Sequence, residues 1–149
     1  MRRPLACPNW ARPPWKNSGM RSTCCHDAAP VLDFSRASAF RLAVCSNLAA
    51  DYASAVLSLL PNMDTYALSC DVGCVKPEPA IYQAVCRSLE LAPQEILFVG
   101  DSLRCDVDGP RDFGMVSVHL DRKAGDTIVQ VVSTALEALG NPGTGAPGV

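Results

Sequence analysis

Val99-Gly100-Asp101-Ser102-Leu103-Arg104-Cys105-Asp106 is the stretch on which the reading of this chain turns. It follows the apolar run Ile96-Leu97-Phe98-Val99 and leads into Val107-Asp108-Gly109-Pro110-Arg111-Asp112-Phe113-Gly114-Met115. An apolar run ending in Gly-Asp predicts a buried parallel strand that delivers a carboxylate to the carboxyl edge of a sheet. In open α/β folds that edge is where ligands bind. Asp106 follows five residues later, at the start of the next predicted helix, so two carboxylates can face one small volume. A hard cation such as Mg²⁺ needs that arrangement. Taken alone, the octapeptide also fits a helix cap at Asp101 and a solvated first-turn acid at Asp106.

Upstream and downstream, helix and strand patterns alternate. Val31 to Ser38 reads as a short helix and Phe40 to Cys45 as a strand ending at Ser46-Asn47. Ala50 to Leu60 carries apolar residues at 53, 56, 57 and 60, a helical stripe with Pro61 just beyond its end. Tyr66 to Cys70 reads as a strand and Pro79 to Leu91 as a helix with Ile81, Tyr82, Val85 and Leu89 inward. After the Ile96–Val99 strand come a helix from about Leu103 to Phe113, a strand from Met115 to Leu120 and an amphipathic helix from Ile128 to Leu139. His119 alternates with Val118 and Leu120, which predicts a solvated or hydrogen-bonded position. Strands separated by helix-length segments predict βαβ units, a mostly parallel sheet and a Rossmann-like α/β fold.

The two ends differ from this pattern. Residues 1–30 carry Arg2, Arg3, Arg12, Lys16 and Arg21 with no acid before Asp27, and five prolines. They read as a disordered leader; Pro13-Pro14 and the lack of an amphipathic pattern argue against a transit peptide. Residues 31–140 read as the folded domain and 141–149 as a flexible Gly/Pro tail. A chain of 149 residues, 48% hydrophobic and 19% charged, fits one globular domain. A net charge of −2 gives no reason to expect nucleic acid or an anionic membrane as partner. No apolar run approaches the ~20 residues that span a bilayer. Cys24-Cys25-His26 and Cys70-x-x-x-Cys74 lack a second ligand pair at zinc spacing. Cys45, Cys70, Cys86 and Cys105 lie in or beside apolar runs, as free thiols do. Free thiols point to a reducing, cytoplasmic location.

Three predicted strand ends then line up in order. Ser46 ends the first, Lys76 follows the second in Gly73-Cys74-Val75-Lys76-Pro77-Glu78-Pro79, and Asp101 with Asp106 closes the third. A hydroxyl, an ammonium and two carboxylates at adjacent strand ends suit an anionic group bound beside a divalent cation. Ser46 Oγ and the Asn47 amide can donate to phosphate oxygens, and Lys76 neutralises charge at the reacting centre. Mg²⁺ on Asp101 and Asp106 would orient such a substrate. Ser46 also fits a helix N-cap, and Lys76 an exposed loop lysine.

This order resembles the haloacid dehalogenase-like (HAD) hydrolase superfamily, in its phosphatase and dehalogenase branch. The matching segments are Val44-Cys45-Ser46-Asn47, Lys76-Pro77-Glu78-Pro79-Ala80-Ile81-Tyr82 and Val99 to Met115, and together they cover about Phe40 to Leu139. The resemblance implies that Ser46 binds the transferred phosphoryl group, Lys76 stabilises the charged intermediate, and Asp101 and Asp106 serve a Mg²⁺ site. It implies a small phosphorylated or halogenated substrate. The family nucleophile, the first Asp of an Asp-x-Asp motif on a central strand, has no counterpart here. Asp106-Val107-Asp108 belongs to the last motif. Only six residues separate Asp33, in Val31-Leu32-Asp33-Phe34-Ser35, from Phe40, too few for a crossover.

The chain therefore reads as the C-terminal part of a HAD-type hydrolase, without the first strand, the nucleophile or a cap. Three functions follow as alternatives: Mg²⁺-dependent phosphoester hydrolysis, a truncated non-catalytic binding or interaction module, and 2-haloacid dehalogenation. A different α/β binding module, in which Gly-Asp-Ser only caps a helix, is a further one. In the family the absent strand lies between the Ser46 strand and the Ile96–Val99 strand. Its loss leaves two unpaired apolar edges and an expectation of self-association through an exposed sheet edge, unless the flanking strands close up and pair.

Overall fold

The computed structural model describes residues 27–140; the leader before residue 27 and the tail after residue 140, with Cys24-Cys25-His26, lie outside the described residues. Ten regular elements follow one another: α1 (Ala28–Ala37), β1 (Ala43–Ser46), α2 (Ala50–Leu59), β2 (Thr65–Leu68), α3 (Ser69–Val72), α4 (Pro79–Leu89), β3 (Leu97–Gly100), α5 (Gly109–Phe113), β4 (Val116–His119) and α6 (Ile128–Ala138). A 3₁₀ turn, Pro93–Glu95, precedes β3, and a π-helical segment, Leu103–Asp108, precedes α5.

The strands pair in parallel, β1 with β2 and β3 with β4, as the alternating pattern predicts. The two pairs do not join: the sheet is split into two two-stranded halves. Their registers show which backbone groups face outward from each pair. Leu42 O accepts from Asp64 N (2.8 Å), so alternation turns Val44 and Ser46 toward β2 and leaves Ala43 and Cys45 pointing away. Ile96 O accepts from Val116 N (3.0 Å) and Gly100 O from Leu120 N (2.8 Å), which leaves Leu97 and Val99 pointing away from β4. The flanking strands thus do not close into a four-stranded sheet, and among the described residues each keeps an edge without a ladder.

One helix packs against both halves. Ile81, Tyr82, Val85 and Leu89 recur at helical spacing on α4, and all four are buried. They meet Ala67 from β2, Phe98 from β3, Ile96 just before it, and Met115, with Ala43 and Cys45 of β1 packed against the same cluster. The Tyr82 ring lies edge-on to Phe98, centroids 5.8 Å apart, and its hydroxyl donates to Cys105 O at 2.7 Å. Burial pushes the Tyr82 phenol well above its ordinary value, so it stays protonated as a donor.

Four boundaries differ from the sequence reading. Helix α1 starts at Ala28, inside the presumed leader, because Asp27 anchors it and Pro30 falls in a first turn that needs no N–H. The strand expected over Tyr66 to Cys70 stops at Leu68, where the Ser69 hydroxyl turns to the Leu48 main chain. The strand expected from Phe40 begins only at Ala43, since Phe40 N bonds back to Ser35 O at 2.9 Å. The helix expected over Leu103 to Phe113 is π-helical to Asp108 and α-helical from Gly109. Pro110 lacks the N–H that would continue the first part, and it fits the first turn of the second.

Asp27 ties the first helix to the last. Its carboxylate takes a fork from Arg122, one branch at 3.1 Å, and accepts from Ile128 N at 3.0 Å. The Arg122 bonds hold the Asp27 carboxyl below the ordinary carboxylate range. Asp27→Asn is expected to cost about 1.5–3 kcal/mol at pH 7, the range for hydrogen bonds to charged groups. A lowered native pKa contributes stability above the unfolded value and loses it as pH falls through the native one. The difference between wild-type and Asp27→Asn urea midpoints should therefore shrink below about pH 4; a constant difference would refute the assignment.

Candidate functional site

The sequence-predicted residues collect where β1 and β3 end. The centre is the Lys76 ammonium, 11% exposed, which ion-pairs with Asp106 Oδ1 at 2.5 Å. It also donates to Cys45 O at 3.1 Å, one of the β1 groups turned away from β2. The Phe98 ring lies 5.5 Å below it, at a cation–π distance. Lys76 is therefore not a solvated loop lysine.

Asp106 is 7% exposed and both of its oxygens are engaged, Oδ1 by Lys76 and Oδ2 by Ser102 N at 3.0 Å. The π-helical segment holds it there, started by Ser102 Oγ accepting from Cys105 N. Gly100 makes the room: a Cβ at that position would overlap the Asp106 carboxyl group. The glycine of Val-Gly-Asp is thus required by close approach rather than by backbone conformation.

Asp101 is exposed, and its carbonyl takes a hydrogen bond from His119 Nε2 at 3.1 Å. His119 is satisfied at the edge of the site, in line with its strand position. Ser46 is half-buried at the end of β1, between Cys45 and Asn47, which both touch Lys76. Its hydroxyl has no protein partner among the described residues. Asn47 is exposed, yet its side chain is engaged twice: Oδ1 accepts from Lys76 N at 2.6 Å and Nδ2 donates to Lys76 O at 2.9 Å.

Sequence reasoning missed three contributors. Ser69 Oγ accepts from Leu48 N (2.8 Å) and donates to Leu48 O (3.1 Å), holding the loop after Ser46. Ser102 and Tyr82 brace the Asp106 segment. Nothing in the local pattern signals Ser69 or Tyr82, because each acts across more than twenty residues. Burial pushes the Cys45 thiol up to about 11, with the Lys76 ammonium opposing it, so Cys45 is a neutral packing residue. All five described cysteines are free.

The donor set does not make a complete magnesium site. Mg²⁺ prefers six oxygens, and of the two expected carboxylates one is already committed to Lys76 and Ser102. No group of three metal-binding side chains occurs among the described residues. Asp33, the upstream candidate for a nucleophile, projects from α1 with its side chain 78% exposed beside Arg36. A cleft of 340 Å³ lies between Pro77, Pro79, Arg104, Asp108, Asp112 and Phe113, but it includes neither Ser46 nor the Lys76 ammonium.

A family model described as haloacid dehalogenase-like hydrolase matches residues 19–114. Bifunctional epoxide hydrolase 2 of Rattus norvegicus is 36% identical over 66 residues, 44% of this chain and 12% of that protein. (S)-2-haloacid dehalogenase 4A of Burkholderia cepacia is 31% identical over 101 residues, 65% of this chain and 43% of its own length. The crystal structure of a HAD phosphatase from Thermococcus onnurineus superposes with a TM-score of 0.65 at 29% identity, covering 77% of this chain and 57% of that one. The chain spans well under two thirds of each of these relatives. With the order of its site residues and its parallel α/β layers, the match over residues 19–114 settles the family: this chain belongs to the haloacid dehalogenase-like hydrolases.

Proposed function

We propose that this chain is a phosphatase-type HAD-like domain whose site binds a phosphoryl anion. The carrying observation is the Lys76 ammonium, fixed between Asp106 and the carbonyl of Cys45, the residue before Ser46 on β1. Ser46 Oγ and the Asn47 main-chain N–H donate to the anion's oxygens, and Lys76 offsets its charge. A phosphate monoester fits better than a halogenated acid, since it offers more oxygens to these donors. The phosphatase among the structural relatives supports this choice, and the dehalogenase keeps 2-haloacids as the competing substrate class.

Hydrolases of this superfamily generally use Mg²⁺. In this chain Asp101 is the carboxylate open to it, with Asp106 behind it holding Lys76. Metal binding through one open carboxylate is weak, with most positions left to water. Millimolar Mg²⁺ is expected to give a small thermal shift that Asp101→Asn removes; a large shift in both proteins would count against this placement.

One observation favours binding without turnover. Aspartyl phosphatase chemistry needs a second carboxylate as nucleophile, and Asp33 and Asp106 are both otherwise placed. The 149-residue chain should bind inorganic phosphate yet hydrolyse p-nitrophenyl phosphate no faster than its Asp101→Asn variant. Turnover that Asp101→Asn abolishes would establish catalysis and overturn the binding-only reading. The free thiols support a reducing compartment such as the cytoplasm, and no helix among the described residues is long and apolar enough to cross a membrane.

A further inference from the structure

We propose that Asn47 and Ser69 are positioning residues that lock the loop after β1 to the Lys76 loop, and that the Asn47 side chain is not a ligand contact. The proposal rests on the anion-site reading above, and it explains how a lysine on a loop comes to stand over the end of another strand. Asn47 accepts from the main-chain N–H of Lys76 (2.6 Å) and donates to its carbonyl (2.9 Å), across 29 residues of sequence. One side chain thereby fixes the two peptide groups that flank Lys76. Only a primary amide offers a donor and an acceptor at this spacing. A carboxylate would leave the carbonyl without its donor, and a hydroxyl would not reach both.

The neighbouring residue carries the same kind of clamp. Ser69 Oγ both accepts from Leu48 N and donates to Leu48 O. Successive residues of the 46–48 loop are thus tied to two different segments, and both ties are reciprocal pairs between a side chain and a main chain. The Lys76 loop is closed on its far side as well, where Glu78 N donates to Val75 O (2.8 Å) and Val75 N to Glu78 Oε1 (3.3 Å). Cys105 Sγ adds a second donor to Lys76 O at 3.5 Å.

The location of these bonds says what they are for. Asn47 is exposed, so its bonds compete with water and add little to packing. What they fix is the root of the Lys76 side chain, and through it the distance from the ammonium to the Ser46 hydroxyl. Displacing a binding group by about 1 Å is enough to weaken a site by one or two orders of magnitude.

The test uses the full chain, inorganic phosphate as probe, and lysine labelled with ¹³C at Cε to follow Lys76 by nuclear magnetic resonance. Asn47→Ala is expected to weaken phosphate binding about tenfold and to move the Lys76 Cε chemical shift toward that of an exposed lysine. Its melting temperature should fall by no more than about 5 °C. Asn47→Asp keeps the acceptor and loses the donor, and should lie between Ala and wild type. Ser69→Ala should weaken phosphate binding while leaving the Lys76 Cε chemical shift unchanged. Unchanged phosphate affinity in Asn47→Ala overturns the proposal. Lost affinity with an unmoved Lys76 signal also overturns it, since Asn47 would then touch the ligand directly. If the wild type binds no phosphate, the anion-site reading falls, and the Lys76 signal still decides the clamp.

Discussion

Asp106→Asn is expected to lower the unfolding free energy by about 3–5 kcal/mol, the cost of stranding one charge of a buried pair. The Lys76 ammonium and the Asp106 carboxylate are 11% and 7% exposed and 2.5 Å apart, and neither has water to fall back on. Lys76→Met should cost a similar amount, because it leaves the carboxylate with only the Ser102 N–H. Against a typical total of about 5–15 kcal/mol, either change removes a large share of the stability. The double variant Lys76→Met/Asp106→Leu separates charge from packing. Apolar replacement of both partners is expected to recover all but about 1 kcal/mol, the value of the lost Ser102 bond. Urea melts of the four proteins give the coupling energy directly. If the losses of the single variants add in the double one, the pair is not coupled and the site is not organised around it.

The second large effect concerns the open edges. A row of unpaired N–H and C=O groups recruits other chains, and among the described residues Leu97 and Val99 on β3 and Ala43 and Cys45 on β1, whose Cys45 carbonyl is taken by Lys76, carry no ladder. The chain is expected to self-associate with rising concentration, and a second copy pairing on the β3 edge is the expected form. Proline distinguishes edge from ladder. At Leu97 it removes an N–H that points away from β4, and the preceding Ile96 has the extended backbone (φ −108°, ψ 123°) that proline requires before it. Leu97→Pro should shift the population toward monomer in light scattering and keep the fold. Phe98→Pro breaks the β3–β4 ladder and buries a ring in the core's place, so it should unfold the protein. A wild type that stays monomeric up to millimolar concentration would show that the edges are covered.

The order of helices and strands was legible because each buried face repeats with a clear period. The α4 residues Ile81, Tyr82, Val85 and Leu89 are an example, and all are buried as their spacing predicts. The meeting of the segments that carry Asn47, Lys76 and Asp106 was legible as well, since these segments end or follow predicted strands in sequence. What they do to one another was not. Asn47 reads as a donor to a ligand, and its side-chain amide also clasps the Lys76 main chain; Asp106 reads as a metal ligand, and it also holds the Lys76 ammonium. Such pairings depend on distances between segments about thirty residues apart, which no local pattern carries. The π-helical turn was also invisible, because its cause, a carboxylate drawn to a lysine under a glycine without a Cβ, is tertiary.

The split sheet has a consequence for how the molecule comes apart. A continuous sheet opens as one cooperative block, because each ladder supports the next. Among the described residues β1–β2 and β3–β4 share no ladder and meet through side chains, chiefly the α4 face, the Lys76 ion pair and the Asp27–Arg122 tie, so each parallel pair can lose its amide protection without dragging the other along. In native-state hydrogen exchange the amides of Val44, Ser46 and Ala67 would form one foldon and those of Phe98, Gly100 and Val118 another. The salt bridge at the site would then be the latch that sets how far their opening energies differ.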